Sequence, residues 1–145
     1  MLLEASATLH TDNLRKQHQE ILEIVSGMQS LVRVPSSVDA AASDKLRKAL
    51  VELSARVTVH LAAEDQVVYP RLIKDTDQKI STIAKQFADE MGGIGDVFKA
   101  YLSHGRNAAA IAADVRTFAV ETKQIASALG TRIDREEREL YPLPD

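Results

Sequence analysis

Apolar residues recur along this chain at spacings of three and four, the period of one helix face, in four separate runs. The first is Leu14, Ile21, Val25, Met28 and Val32, with His18 in the same register and Thr11 or Asp12 able to cap its start. The second is Leu46, Leu50, Leu53 and Val57, and its rhythm continues onto His60, Glu64 and Val68. The third is Ile80, Ile83, Phe87, Met91, Ile94, Phe98 and Tyr101. The fourth is Ile111, Val115, Phe118, Thr122, Ile125 and Leu129, and it runs on through Arg132, Ile133, Glu136 and Leu140.

The stretches between the runs read as connections. VPSSVDAAAS at positions 34–43 turns into the second helix between Ser36 and Ser43. Tyr69-Pro70 predicts a kink, and KDTD (Lys74 to Asp77) ends one helix and starts another with Asp75 or Asp77 as the cap. Gly92, Gly93 and Gly95 predict a loosened turn or close helix packing inside the third run, since each costs about 1 kcal/mol of helix propensity. Ser103-His104-Gly105 predicts a helix end with Gly105 in the left-handed cap position, His104 and His10 solvated, and Asn107 opening the last helix. No strand pattern competes, so the expected fold is all-α, an up-down-up-down four-helix bundle forming a single domain over 1–145.

The histidines and glutamates in these stripes are the anomaly. A buried imidazole or carboxylate without a partner costs roughly 1–3 kcal/mol, and more if charged, so other helices must supply a metal or counter-charge. His60 and Glu64 stand at i and i+4, a spacing that lets both reach one ion. In an up-down topology His18 near the start of helix one meets them, and Met91 and the segment from Arg132 to Glu137 reach the same layer.

Composition narrows the chemistry. With no cysteine among 145 residues, disulfides, thiolate zinc sites, iron–sulfur clusters and a cysteine nucleophile are excluded. A metal must then be held by imidazole and carboxylate, which favours iron, manganese or zinc. A net charge of −3 with interspersed signs, and only 4% aromatic residues, offers neither a phosphate-tracking stripe nor a base-stacking platform, so nucleic acid is not an expected partner. The opening MLLEASATLH lacks a basic segment followed by an apolar run, and no apolar stretch nears the roughly 20 residues that span a bilayer. The expected location is the cytoplasm, without a membrane partner. There is no Gly-rich phosphate loop and no nucleophile beside a base, so a binding or sensing domain is expected rather than an enzyme.

Four pieces carry a family likeness: LRKQHQEIL around His18, HLAAEDQVVYPRL from His60, DEM at Asp89 to Met91, and RIDREERELYP from Arg132 to Pro142. Together they resemble the hemerythrin-like, or HHE cation-binding, domains over nearly the whole chain. The second and fourth are the specific ones, because the family ends both metal-bearing helices with acidic residues and then an aromatic–proline pair. The resemblance implies two non-heme irons bridged by two carboxylates, one iron taking two further histidines and the other three. His18 and His60 match the two-histidine iron, and Glu64 matches one bridging carboxylate. Glu137 matches the other by motif spacing, while the helical stripe points Glu136 more squarely inward; both stay candidates.

The three-histidine half is absent. Met91 follows Glu90 where a histidine is expected, Gly95 occupies the position one turn on, and Arg132 stands before the I-x-x-E-E piece. A thioether is a poor ligand for a hard iron centre, and a guanidinium has no lone pair to give. Two readings follow. In one, His18, His60, Glu64 and a carboxylate of the Glu136/Glu137 pair hold a single iron, manganese or zinc, with a small diatomic molecule as a further ligand. In the other, no metal is bound and Arg132 bridges the carboxylates as a buried ion pair in a regulatory or interaction bundle whose protein partner no motif names. A third class, the histidine phosphotransfer domain with His60 as acceptor, fits less well: Leu61, Ala62 and Ala63 follow His60 where that family has lysine and glycine.

Overall fold

Every apolar stripe becomes helix in the computed structural model of the chain, which describes residues 11–143. Helix α1 is Thr11–Val32, and a 3₁₀ turn at Pro35–Ser37 leads to α2, Ala40–Ala63. A wide π-helical turn, Glu64–Val68, joins α2 to the short α3, Tyr69–Ile73. Then come α4 (Gln78–Met91), α5 (Ile94–His104), α6 (Ala108–Ala113) and α7 (Val115–Arg135), the last running into a second π-helical turn, Glu136–Leu140. No strand occurs among the described residues, and no helix there is long and apolar enough to cross a membrane.

Short polar side chains set the helix starts by satisfying amide groups that have no intrahelical partner. Asp39 accepts from Ala42 N (2.8 Å), Asp77 from Lys79 N (2.9 Å) and Asn107 from Ala110 N (2.7 Å). Asp114 was not foreseen as a cap. It breaks the fourth stripe in extended backbone (φ −150°, ψ 71°) and starts α7 by accepting from Thr117 N, so Asn107 opens only the six-residue α6. The third stripe divides at the glycines, between Met91 and Ile94.

Two further expectations fail. Gly105 is not left-handed (φ −90°, ψ 22°); a Cβ there would overlap Leu50 Cδ2 and stand 2.9 Å from Phe118 Cε1, so the residue is small because three segments crowd together. His104 is not a solvated end residue: its ring meets Phe118 edge-on and its Nδ1 pairs with Glu121. His10 lies outside the described residues.

The core divides in two. A larger apolar cluster includes Ile21, Val25, Leu46, Leu53, Val57, Phe98, Phe118, Leu129 and Ile133; a smaller one holds Leu14, Val68, Tyr69, Leu72, Phe87, Leu140 and Tyr141. Helices α1, α2 and α7 pass from one cluster to the other through polar residues: His18 on α1, His60 at the end of α2 with Glu64 opening the π turn after it, and Arg132 at the end of α7 with Glu136 opening the second π turn. The polar groups thus form a layer sealed by hydrocarbon above and below, where water cannot satisfy them.

Candidate metal centre

The start of α1, the end of α2 and the end of α7 meet at this layer. His18 is 0% exposed, His60 3%, Glu64 0%, Arg132 4% and Glu136 0%. His18 Nε2 lies 2.9 Å from His60 Nε2 and 3.2 Å from Glu136 Oε1. His60 Nε2 lies 3.1 Å from Glu64 Oε1 and 3.9 Å from Glu136 Oε1. One donor atom from each of His18, His60, Glu64 and Glu136 can be chosen so that all four lie within 4.8 Å of one another. Ligand atoms about 2.0–2.2 Å from one ion would sit roughly 3.0–3.4 Å apart at neighbouring coordination positions, so the spacing suits a single ion.

The tautomers point the same way. Gln17 Oε1, which can only accept, stands 2.7 Å from His60 Nδ1, so that nitrogen carries the proton and Nε2 of the neutral ring presents a lone pair to the layer. Two imidazole nitrogens facing each other at 2.9 Å need a shared proton or a common cation between them. Glu136 Oε1 is buried with no hydrogen-bond partner among the described residues, leaving an acceptor for the same cation. The donor set of two imidazoles and two carboxylates fits iron, manganese or zinc.

Arg132 occupies the other side of the layer. Its Nη2 donates to Glu64 Oε1 (3.1 Å) and its Nε to Glu136 Oε2 (3.3 Å), so of the two adjacent glutamates it engages Glu136. Glu137 is part-exposed: it pairs with Arg15 (3.6 Å) and its Oε2 comes no nearer than 3.7 Å to His18 Nδ1. Glu90 stays outside the layer, exposed and paired with Arg135. The side chain of Met91 lies outside the described part of the structure.

Charge sets the protonation of the metal-free cluster. Burial opposes charging His60, but Glu136 and Glu64 outweigh it and lift its pKa to about 9. Burial, with Glu136 close by, raises Glu64 to about 7 despite His60. Burial would also raise Glu136, yet His18, His60 and Arg132 together hold its carboxyl well below the usual carboxylate range.

Two tyrosines complete the arrangement, and sequence patterning noticed them only as half of an aromatic–proline pair. Tyr69 donates to Glu136 Oε2 (3.1 Å), and Tyr141 donates to Glu64 Oε2 (2.9 Å) while standing 3.1 Å from His18 Nε2. The pattern that encodes them is present twice, as E-x-x-x-x-Y-P at Glu64 to Pro70 and at Glu136 to Pro142. Each proline lacks the N–H that the carbonyl four residues back would take, and the helix widens just ahead of it. The tyrosine amide bonds five residues back, Tyr69 N to Glu64 O and Tyr141 N to Glu136 O (2.8 Å). That extra residue brings each ring round to the buried face, where it reaches the other helix's glutamate. In this repeat Arg132 stands four residues before Glu136, as His60 stands four before Glu64. A cavity of about 260 Å³ borders the layer, walled by Tyr69 and Arg132 and floored in part by Gly92 and Gly95.

His60 is buried against His18, so it offers no face to a phosphate donor as a phosphotransfer histidine must. No curated protein and no solved structure matches this chain. A model of the hemerythrin HHE cation binding domain matches it over residues 9–143, and with that extent of agreement the chain belongs to the hemerythrin HHE cation-binding family.

Proposed function

We propose that this domain binds or senses one divalent metal ion, iron first with manganese and zinc as alternatives, held by His18, His60, Glu64 and Glu136. The observation that carries the reading is the convergence of four buried donor atoms within 4.8 Å beside a guanidinium already spent on both carboxylates. With neutral imidazoles, two carboxylates and Arg132 leave the layer one negative charge. One divalent ion balances that charge and overshoots by one; a second would leave three positive charges in a dry core, which costs far more than it returns.

When bound, the ion would supply a Lewis-acidic position for a small diatomic ligand, and the cavity beside Tyr69 and Arg132 supports a route to it. Gln17 orients His60, Tyr141 and Tyr69 hold the carboxylates, and Arg132 fills the place of a second cation. An up-down-up-down four-helix arrangement is part of the same reading, supported by the meeting of the start of α1 with the ends of α2 and α7. A metal-free regulatory bundle is the second reading. Its support is that each buried carboxylate already has a guanidinium and a tyrosine hydroxyl as partners.

Elemental analysis of protein isolated without added metal, and again after incubation with iron, manganese or zinc, separates the readings. One equivalent or less per chain is expected. Two equivalents of iron with an oxo-bridge absorption band overturn the mononuclear reading, and no metal under any condition leaves the metal-free bundle.

A further inference from the structure

The other end of the α1–α7 pair carries a groove that the metal layer does not use. Its volume is about 920 Å³, and it is walled by Ser26, Gln29, Ser30 and Arg33 on one side and Arg116, Ala119, Val120 and Lys123 on the other, with Pro35 and Ser36 closing one end. Both walls follow the spacing i, i+3, i+4, i+7, so α7 turns one continuous face to the groove over about 10 Å, two helical turns, and α1 does the same with Arg33 just past its end. The apolar part of the lining is Val32, Ala119 and Val120, and Val120 leaves 57% of its surface uncovered.

The charge here is unlike that elsewhere on the molecule. No acidic residue lines the groove, although the chain carries a net charge of −3. Among the described residues, eight of the ten arginines have an ion pair or hydrogen bond, for example Arg15 with Glu137, Arg47 with Asp44, Arg56 with Glu20 and Arg138 with Asp134. The two that have none are Arg33 and Arg116, which line opposite walls of this groove, and Lys123 adds a third positive charge to the lining. The wall residues between them are serine, glutamine, alanine and valine, so nothing in the groove offsets their charge.

We propose that this groove is a docking surface for a short acidic amphipathic helix of a protein partner. Its apolar stripe would lie on Val32, Ala119 and Val120, and its flanking carboxylates would meet Arg33, Arg116 and Lys123. Two turns of groove match two to three turns of helix. Nucleic acid is the poorer fit, because three cations make a short phosphate track, the apolar lining is aliphatic, and no aromatic ring lines the groove for base stacking. The inference does not rest on the metal reading, since none of the groove residues belongs to the metal layer.

The test uses the full chain and a fluorescein-labelled 12-residue synthetic helix with leucines on one face and glutamates on both flanks, followed by fluorescence anisotropy. Comparison probes are the same helix with glutamines for glutamates and a labelled 12-nucleotide single strand. The glutamate helix is expected to bind at least tenfold more tightly than the other two, and Arg33→Glu with Arg116→Glu to weaken it at least tenfold. Lys79→Glu with Lys85→Glu, two exposed lysines on α4, should change binding less than twofold. Should the reversal variant not fold, Arg33→Gln with Arg116→Gln should still weaken binding at least threefold at an unchanged melting temperature. Equal binding of the glutamine helix, undiminished binding by the arginine variants, tighter binding of the oligonucleotide, or competition by a second copy of the chain overturns the proposal.

Discussion

Replacing Arg132 with methionine keeps the volume of the buried stem but removes the guanidinium that pairs with Glu64 (3.1 Å) and Glu136 (3.3 Å), both 0% exposed. Two carboxylates would then face each other across the histidines with one counter-charge fewer. Breaking a buried pair in this way costs about 3–5 kcal/mol. Glu64 limits the loss, because burial and the nearby Glu136 already bring its carboxyl to about 7, so it can shed its charge near neutrality at little cost. Tyr69 and Tyr141 still donate to the carboxylates, which argues for the lower half of the range. At about 3 °C per kcal/mol for a chain of this size, the metal-free variant should melt roughly 9–12 °C below wild type. Circular dichroism melts in a chelator measure this directly. Added divalent metal should recover part of the loss, because an ion bound to the native state alone stabilises it by mass action. A metal-free melting temperature equal to that of wild type would refute the reasoning: Arg132 would then not be compensating the carboxylates.

The remaining predictions follow from other parts of the structure. His60→Ala and Glu64→Ala should each strip metal, measured by elemental analysis, while far-UV circular dichroism stays helical; Leu53→Ala, at a fully packed core position, should instead cost about 2–5 kcal/mol in chemical denaturation. Gly105→Ala should destabilise by about 1–3 kcal/mol, because its methyl must displace Leu50 and the ring of Phe118, both buried; an unchanged denaturation midpoint would contradict that packing. Burial lifts the Tyr101 hydroxyl to about 12, although its bond with Thr122 (2.7 Å) pulls the other way. Native Tyr101 therefore holds its proton where the unfolded chain has lost it. The stability it contributes is intact below about pH 10 and falls between pH 10 and 12 by about 1.4 kcal/mol per pH unit. Tyr101→Phe should make that alkaline limb shallower in pH-dependent melts, leaving the share of buried Tyr69 and Tyr141, whose hydroxyls burial also pushes up.

Helical periodicity made the long elements and the polar layer legible, because a histidine or glutamate in an apolar stripe must be buried once the stripe is. His18, His60, Glu64, Arg132 and Glu136 could all be placed on inward faces in this way. What periodicity could not supply was anything that depends on a departure from it. The two π turns insert a residue into the rhythm, so the buried face after Glu64 and Glu136 takes in Tyr69 and Tyr141 as well as the expected Val68 and Leu140, and the tyrosines arrive as hydrogen-bond donors. The recurrence of E-x-x-x-x-Y-P was the available signal. It also pairs Glu64 with Glu136, whereas family motif spacing pointed to Glu137. The cap at Asp114 was hidden because Val115 kept the stripe in register across the break. Ser-His-Gly predicts a turn at Gly105, but the reason for the glycine is crowding by Leu50 and Phe118, a contact between segments more than 50 positions apart in one case. Gln17, adjacent to His18 yet bonded to His60, carried no sequence signal, since its role depends on which helix faces α1.

The central claim is that His18, His60, Glu64 and Glu136 converge on one ion, and metal stoichiometry tests it most directly. The metal-stripped chain is titrated with manganese or zinc and its bound metal counted by elemental analysis after gel filtration, alongside His18→Ala with His60→Ala. The expected result is one equivalent on wild type and none on the double variant. Two equivalents on wild type, or one equivalent on a double variant that has lost both imidazoles, would contradict the account.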